Sequence, residues 1–192
     1  TFQASLYDGN QASKYSEGGK AQTEAESLYL EANQQYMQDM QTLARLTELG
    51  IQAESSDPAV AAVATESLET LYFMNVSEEF GAAIERAEAE NAADPEYYTS
   101  PLDDEDYQHY LFSGWAEKNE ESAAAVAAGD EANTNGDKLT LAATLMAITL
   151  FLLGVAAVVR RERTKVMLMG IGMVVFVGSA ALTATVPFVW LG

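Results

Sequence analysis

Two uncharged apolar runs, separated by only six residues, constrain this chain more than any other feature. Leu139 to Val159 gives 21 consecutive residues without a formal charge, and Val166 to Trp190 gives 25. At about 1.5 Å of rise per residue, either run as a helix spans the roughly 30 Å of a bilayer's hydrocarbon core. Both are apolar on every face, so a soluble fold would have to cover them completely. The expectation is an all-α membrane protein with transmembrane helices over 139–159 and 166–190. Pro187 then falls in the last turn of the second span, where a missing backbone donor is tolerated, and Trp190 sits as an interfacial indole. Between the spans, residues 160–165 (Arg160, Arg161, Glu162, Arg163, Thr164, Lys165) form a basic loop that the positive-inside rule assigns to the cytoplasm. Residues 1–138 are therefore expected outside, in the periplasm if the membrane is a bacterial inner or plasma membrane.

Charge divides the chain at the same place. Residues 1–138 carry 28 acidic and six basic residues, a net of −22, whereas the remaining 54 carry Glu162 and four basic residues, a net of +3. So acidic a surface repels phosphates, which excludes the electrostatic basis of nucleic-acid binding and argues against adsorption to anionic lipid. A cationic partner or a salty medium would suit it, but it reads as a solvated helical surface kept soluble by charge.

Catalytic and metal chemistry has little to work with. There is no cysteine, and His109 is the only histidine, so thiolate sites, cysteine nucleophiles and a multi-histidine metal cluster are all absent. The apolar runs hold no Asp, Glu, Lys, Arg, His, Asn or Gln, which removes proton relays and imidazole ligands from the membrane. Asp103, Asp104, Glu105 and Asp106 read as the acidic first turn of a helix rather than as a calcium site, because adjacent helical side chains diverge. Glu131, Asn133, Asn135, Gly136 and Asp137 mimic the first half of an EF-hand loop. The position that should carry its bidentate glutamate is Ala142, inside the first apolar run. No enzyme, cofactor or metal is expected.

The acidic part reads as helical, rich in Ala, Glu, Gln and Leu and poor in alternating β-branched residues. A first helix covers much of Phe2 to Leu49, with a bend or break allowed at Gly18 and Gly19 and a stop at Gly50. Ala25, Leu28, Ala32, Tyr36, Met40, Leu43 and Leu46 form its apolar stripe. Asp57 and Pro58 start a second helix reaching about Met74; Ser77 starts a third reaching about Asn91. Residues 92–104 form a loop bearing Tyr97 and Tyr98, which either contact a partner or fold back over the core. A fourth helix from about Asp103 runs unbroken into the first span as a stalk against the first helix, with Gly114, Gly129 and Gly136 as weak points.

Two stretches, Tyr15 to Gln34 (YSEGGKAQTEAESLYLEANQ) and Gly129 to Arg161 (GDEANTNGDKLTLAATLMAITLFLLGVAAVVRR), resemble a loose group of uncharacterised bacterial membrane proteins. In that group a first membrane helix leads into a short extracytoplasmic helical domain followed by two C-terminal membrane helices. The resemblance implies a further span upstream of Thr1, in keeping with a chain that opens without methionine. It implies no activity. The expected role is a non-catalytic accessory subunit of a larger membrane complex, whose partners are other membrane protein subunits and the lipid bilayer. Contacts are expected through Tyr97, Tyr98 and Trp115 outside, and through the small residues Gly170, Gly172 and Gly178 in the second span. The alternative is a membrane sensor whose outer domain binds a ligand or cation.

Overall fold

The computed structural model describes residues 2–190, and among these every regular element is helical: α1 Phe2–Ala53, α2 Pro58–Asn75, α3 Glu78–Ala93, a short 3-10 turn Pro101–Asp103, α4 Glu105–Val158 and α5 Glu162–Ala184. Two of the helices, α4 and α5, are long and apolar enough to cross a membrane. The chain divides into two compact units, one of residues up to Ala21 with those from Glu121 onward, the other Gln22–Glu120.

Local chemistry sets most helix starts. Asp57 caps α2 by accepting from Ala59 N at 2.9 Å with Pro58 in the first turn, and Ser77 caps α3 by accepting from Phe80 N at 3.2 Å. Asp104 does the same for α4, accepting from Tyr107 N at 2.9 Å. The helix ends depart from the sequence expectation in three places. α1 does not stop at Gly50 but continues to Ala53, and no described glycine has the positive φ of a left-handed cap. The basic segment 160–165 is not all loop: α5 begins at Glu162, whose carboxylate favours the positive N-terminal end of the helix, leaving only residues 159–161 between α4 and α5. The second apolar run is not helical to Trp190. α5 ends at Ala184, and Pro187 lies beyond the helix, because proline disfavours helical geometry in the residue before it and supplies no donor of its own.

In the unit Gln22–Glu120, α1, α3, the 3-10 turn and α4 enclose Phe80, Ala83, Ile84, Leu102 and Tyr107, flanked by Tyr36, Leu43, Leu46, Val76 and Leu111. α3 contributes through residues at steps of three and four. The loop after α3 is pinned by Asn91, whose amide donates to Thr99 O at 2.9 Å and accepts from Thr99 N at 2.6 Å. Arg86 grips Asp104 with two parallel hydrogen bonds of 2.6 and 2.7 Å, tying α3 to the start of α4.

In the other unit, α1 up to Ala21 runs antiparallel to α4 from Glu121 along a seam of small residues. Gly18 faces Ser122 and Val126, Gly129 faces the Tyr15 ring, and Gly136 faces Tyr7 and Asp8. Ser122 Oγ donates to Gly18 O at 2.9 Å, and Tyr15 OH donates to Asp130 Oδ1 at 2.6 Å. Gly18, Gly129 and Gly136 permit close approach of two helices, and neither α1 at Gly18 and Gly19 nor α4 at Gly114, Gly129 and Gly136 is broken. The apolar end of α4 packs on α5 in the same manner: Ala142, Thr149 and Ala156 are buried at seven-residue steps, as are Gly172 and Ser179, and a Cβ on Gly172 would sit 3.4 Å from Leu153 Cδ2. After α5 the chain is held to α1, where Gln3 bonds both the N–H and the carbonyl of Val189 and Tyr7 OH donates to Pro187 O at 2.8 Å.

Candidate functional site

Burial along α1 follows a repeat of seven. Ala4, Tyr7, Gly18, Ala21, Ala25, Ala32, Asp39, Thr42 and Leu49 are buried, the spacing of a supercoiled helix pair. Read at steps of three or four, the apolar stripe passes through Met40, but Met40 is exposed and Asp39, one residue earlier, is 1% exposed. A strict 3.5-residue period keeps Asp39 in phase with Ala32 and Ala25. The carboxylate is satisfied there: Tyr107 OH donates to Oδ2 at 2.6 Å and the Gln35 amide reaches both oxygens at 3.0 Å. Burial, then the bond to Asp39, pushes the Tyr107 phenol far above its ordinary range. This is a structural polar clasp between α1 and α4, closed by its own members.

Asp104 is the other perturbed carboxylate. The Arg86 guanidinium, reinforced by the Tyr107 and Asp106 amides, holds it down to about 2. Asp106 also approaches Arg86, at 3.9 Å, and among the described residues no three His, Asp or Glu side chains are grouped so as to hold a metal ion. Residues 131–137 are helical, in the middle of α4, so the EF-hand-like spacing never forms a loop. His109 is exposed on α4.

The residues expected to meet a partner do not form one surface. Tyr97 and Tyr98 are each 72% exposed on the loop pinned by Asn91, and neither folds over the core. Trp115 is half-buried, its indole 5.5 Å from the Tyr29 ring, while Tyr29 also packs on Phe112 at 5.9 Å. Trp115 walls a groove of about 430 Å³ between α1 and α4, together with Leu28, Glu31, Gln35, Tyr110 and Leu111. Of the three α5 glycines, Gly172 is used within the chain against Leu153, whereas a Cβ on Gly170 or Gly178 would meet nothing within 4 Å. The groove is what sequence reasoning missed. Its signal was the coincidence of Leu28 and Glu31 on α1 with Tyr110 and Trp115 on α4, and it becomes visible only when the two helices are placed antiparallel.

No protein-family model, curated protein or solved structure matches this chain.

Proposed function

We propose that the chain is a non-catalytic accessory subunit of a membrane protein complex, anchored by a transmembrane hairpin of the α4 end and α5 and docking through its acidic helical part outside. The observation that carries the membrane half of this reading is exposure: only 17% and 11% of the most apolar stretches of α4 and α5 are buried within the protein. Surfaces such as Leu150, Phe151, Val174 and Val177, all more than half exposed, belong in lipid or against another membrane subunit. The basic residues Arg160, Arg161, Arg163 and Lys165 favour a cytoplasmic position for the turn, which puts the acidic part outside. The docking half draws on the exposed Tyr97 and Tyr98 and on the aromatic groove at Trp115, together with polar sites that are closed by their own members.

Because the chain has no cysteine, single cysteines report topology directly. Tyr97→Cys should react with a membrane-impermeant maleimide in intact cells, and Arg160→Cys only after permeabilisation. The reverse pattern would invert the topology, and equal reactivity of both would remove the membrane anchor. Docking is tested by mild-detergent extraction of the native protein and mass spectrometry of what co-migrates. A partner at fixed stoichiometry is expected; migration alone sinks the subunit reading.

One feature favours a second reading, a sensor. α4 runs without a break from the acidic part into its apolar end, so a ligand bound to the outer portion of α4 would sit on the same helix as the membrane segment. That reading predicts a cation or small molecule that changes the protein's thermal stability in detergent.

A further inference from the structure

The unit Gln22–Glu120 carries 22 acidic residues and only three basic ones. Each of those three has a carboxylate within the unit: Arg45 lies 2.5 Å from Glu48, Arg86 lies 2.6 Å from Asp104, and Lys118 lies 3.3 Å from Glu24. Every cation of the unit is thus engaged internally, and 19 carboxylates remain in excess. Over most of the surface this charge meets only water, which screens it. The groove between α1 and α4 differs, because there Glu31 shares one lining with the aromatic Tyr110 and Trp115 and the apolar Leu28 and Leu111. A concave, partly apolar wall focuses the surrounding negative potential, and an indole face attracts the same cations that a carboxylate does.

We infer that this groove receives Arg or Lys side chains from a basic, amphipathic helical segment of a partner protein. Carboxylate and aromatic faces answer the charged heads, while Leu28 and Leu111 cover the alkyl stems. A protein segment is favoured over a small organic cation by the polar inventory. Of the side chains lining the groove only Glu31 is charged, so a small cation would meet one of the 19 excess carboxylates, whereas a longer basic segment can meet several. Charge and aromatic faces distributed along a helix pair suit an extended basic helix instead. The inference rests on the docking reading above and names the chemistry of the partner.

The test uses the full chain in nanodiscs of zwitterionic phosphatidylcholine and a fluorescein-labelled amphipathic helical peptide of Leu, Ala and Arg, followed by anisotropy. Its counterpart with Gln in place of Arg is the control. The Arg peptide should bind saturably and weaken with added salt, and the Gln peptide should not bind. Glu31→Gln should weaken binding roughly five-fold and Trp115→Leu by a similar factor. Glu66→Gln and Glu69→Gln, which remove the same charge from α2 outside the groove, should change it less than about two-fold. Glu31 is exposed, so its variant separates a lost contact from a lost fold. Absence of binding, equal binding of the Gln peptide, or equal weakening by the α2 variants would overturn the inference. So would a free alkylammonium ion that bound as tightly as the peptide. The subunit reading stands apart from all of these, since a co-migrating native partner can exist while the groove fails every one.

Discussion

Gly18 and Gly19 are adjacent in α1, yet the structure predicts that replacing them by alanine has opposite effects. Alanine in a helix interior is favoured over glycine by about 0.8 to 1 kcal/mol, and both positions collect this gain. At Gly19 a Cβ would meet nothing within 4 Å, so Gly19→Ala should stabilise by roughly the full amount. At Gly18 the new Cβ would lie 2.9 Å from Val126 Cγ2 and 3.3 Å from the Ser122 carbonyl oxygen. Valine in a helix has essentially one rotamer, and the backbone oxygen cannot turn aside, so the helices must separate or strain. Overpacking of this kind costs about 1 to 3 kcal/mol. It also lengthens the 2.9 Å bond from Ser122 Oγ to Gly18 O at a buried site. Gly18→Ala should therefore be net destabilising, with a gap of about 2 kcal/mol between the two variants. For a chain of 192 residues that gap corresponds to roughly 4 to 8 °C in Tm. Thermal melts of the full chain in nonionic detergent, followed by circular dichroism, would show it. If Gly18→Ala raised Tm as much as Gly19→Ala, the close approach of α1 and α4 would be refuted, and with it the reading of the glycine seam as a packing device.

The Asp39 clasp predicts that Tyr107→Phe, which leaves a buried carboxylate short of a donor, costs about 1.5 to 3 kcal/mol in denaturant unfolding, whereas Met40→Ala, one residue along α1 and exposed, costs well under 1. Acid should loosen the junction of α3 and α4. Asp104 is held at about 2 against an ordinary value near 3.8, so its contribution is full above about pH 4 and is lost as pH falls through 2. That contribution is on the order of 1 kcal/mol after discounting for its half-exposed Arg86 partner, and Asp104→Asn should remove that limb from a pH–stability profile. Alkali should act oppositely at Tyr107. A phenol whose native pKa is raised keeps its stabilisation below about pH 10 and loses it above, so Tyr107→Phe should flatten the alkaline limb of the same profile. Gln3→Ala should release the segment after α5, costing about 1 kcal/mol and speeding amide exchange at Val189, whose N–H bonds the Gln3 side chain.

What the sequence determined by itself was whatever depends on neighbours along the chain or on bulk composition. Asp57 with Pro58, and Ser77, mark helix starts because a capping oxygen acts within one turn. The two apolar runs declare helices with membrane-like length and hydropathy because transfer energy sums over residues wherever they point. The passage of α4 from acidic to apolar without a break follows from the absence of proline between Glu105 and Val158. Of the candidate site, the exposed-looking Tyr97 and Tyr98 could be named from the sequence; their actual exposure could not, since it depends on where Asn91 pins the loop. Tertiary structure alone decided the rest. A glycine reads locally as a weak point in a helix, and only a second helix at contact distance makes Gly18, Gly129 and Gly136 into the places where two backbones approach. The same holds for Gly172, which is filled by Leu153 while Gly170 and Gly178 stay open. Asp39 rather than Met40 faces inward because burial along α1 keeps a seven-residue repeat in which Asp39 follows Ala25 and Ala32, a repeat that only the packing of a second helix reveals.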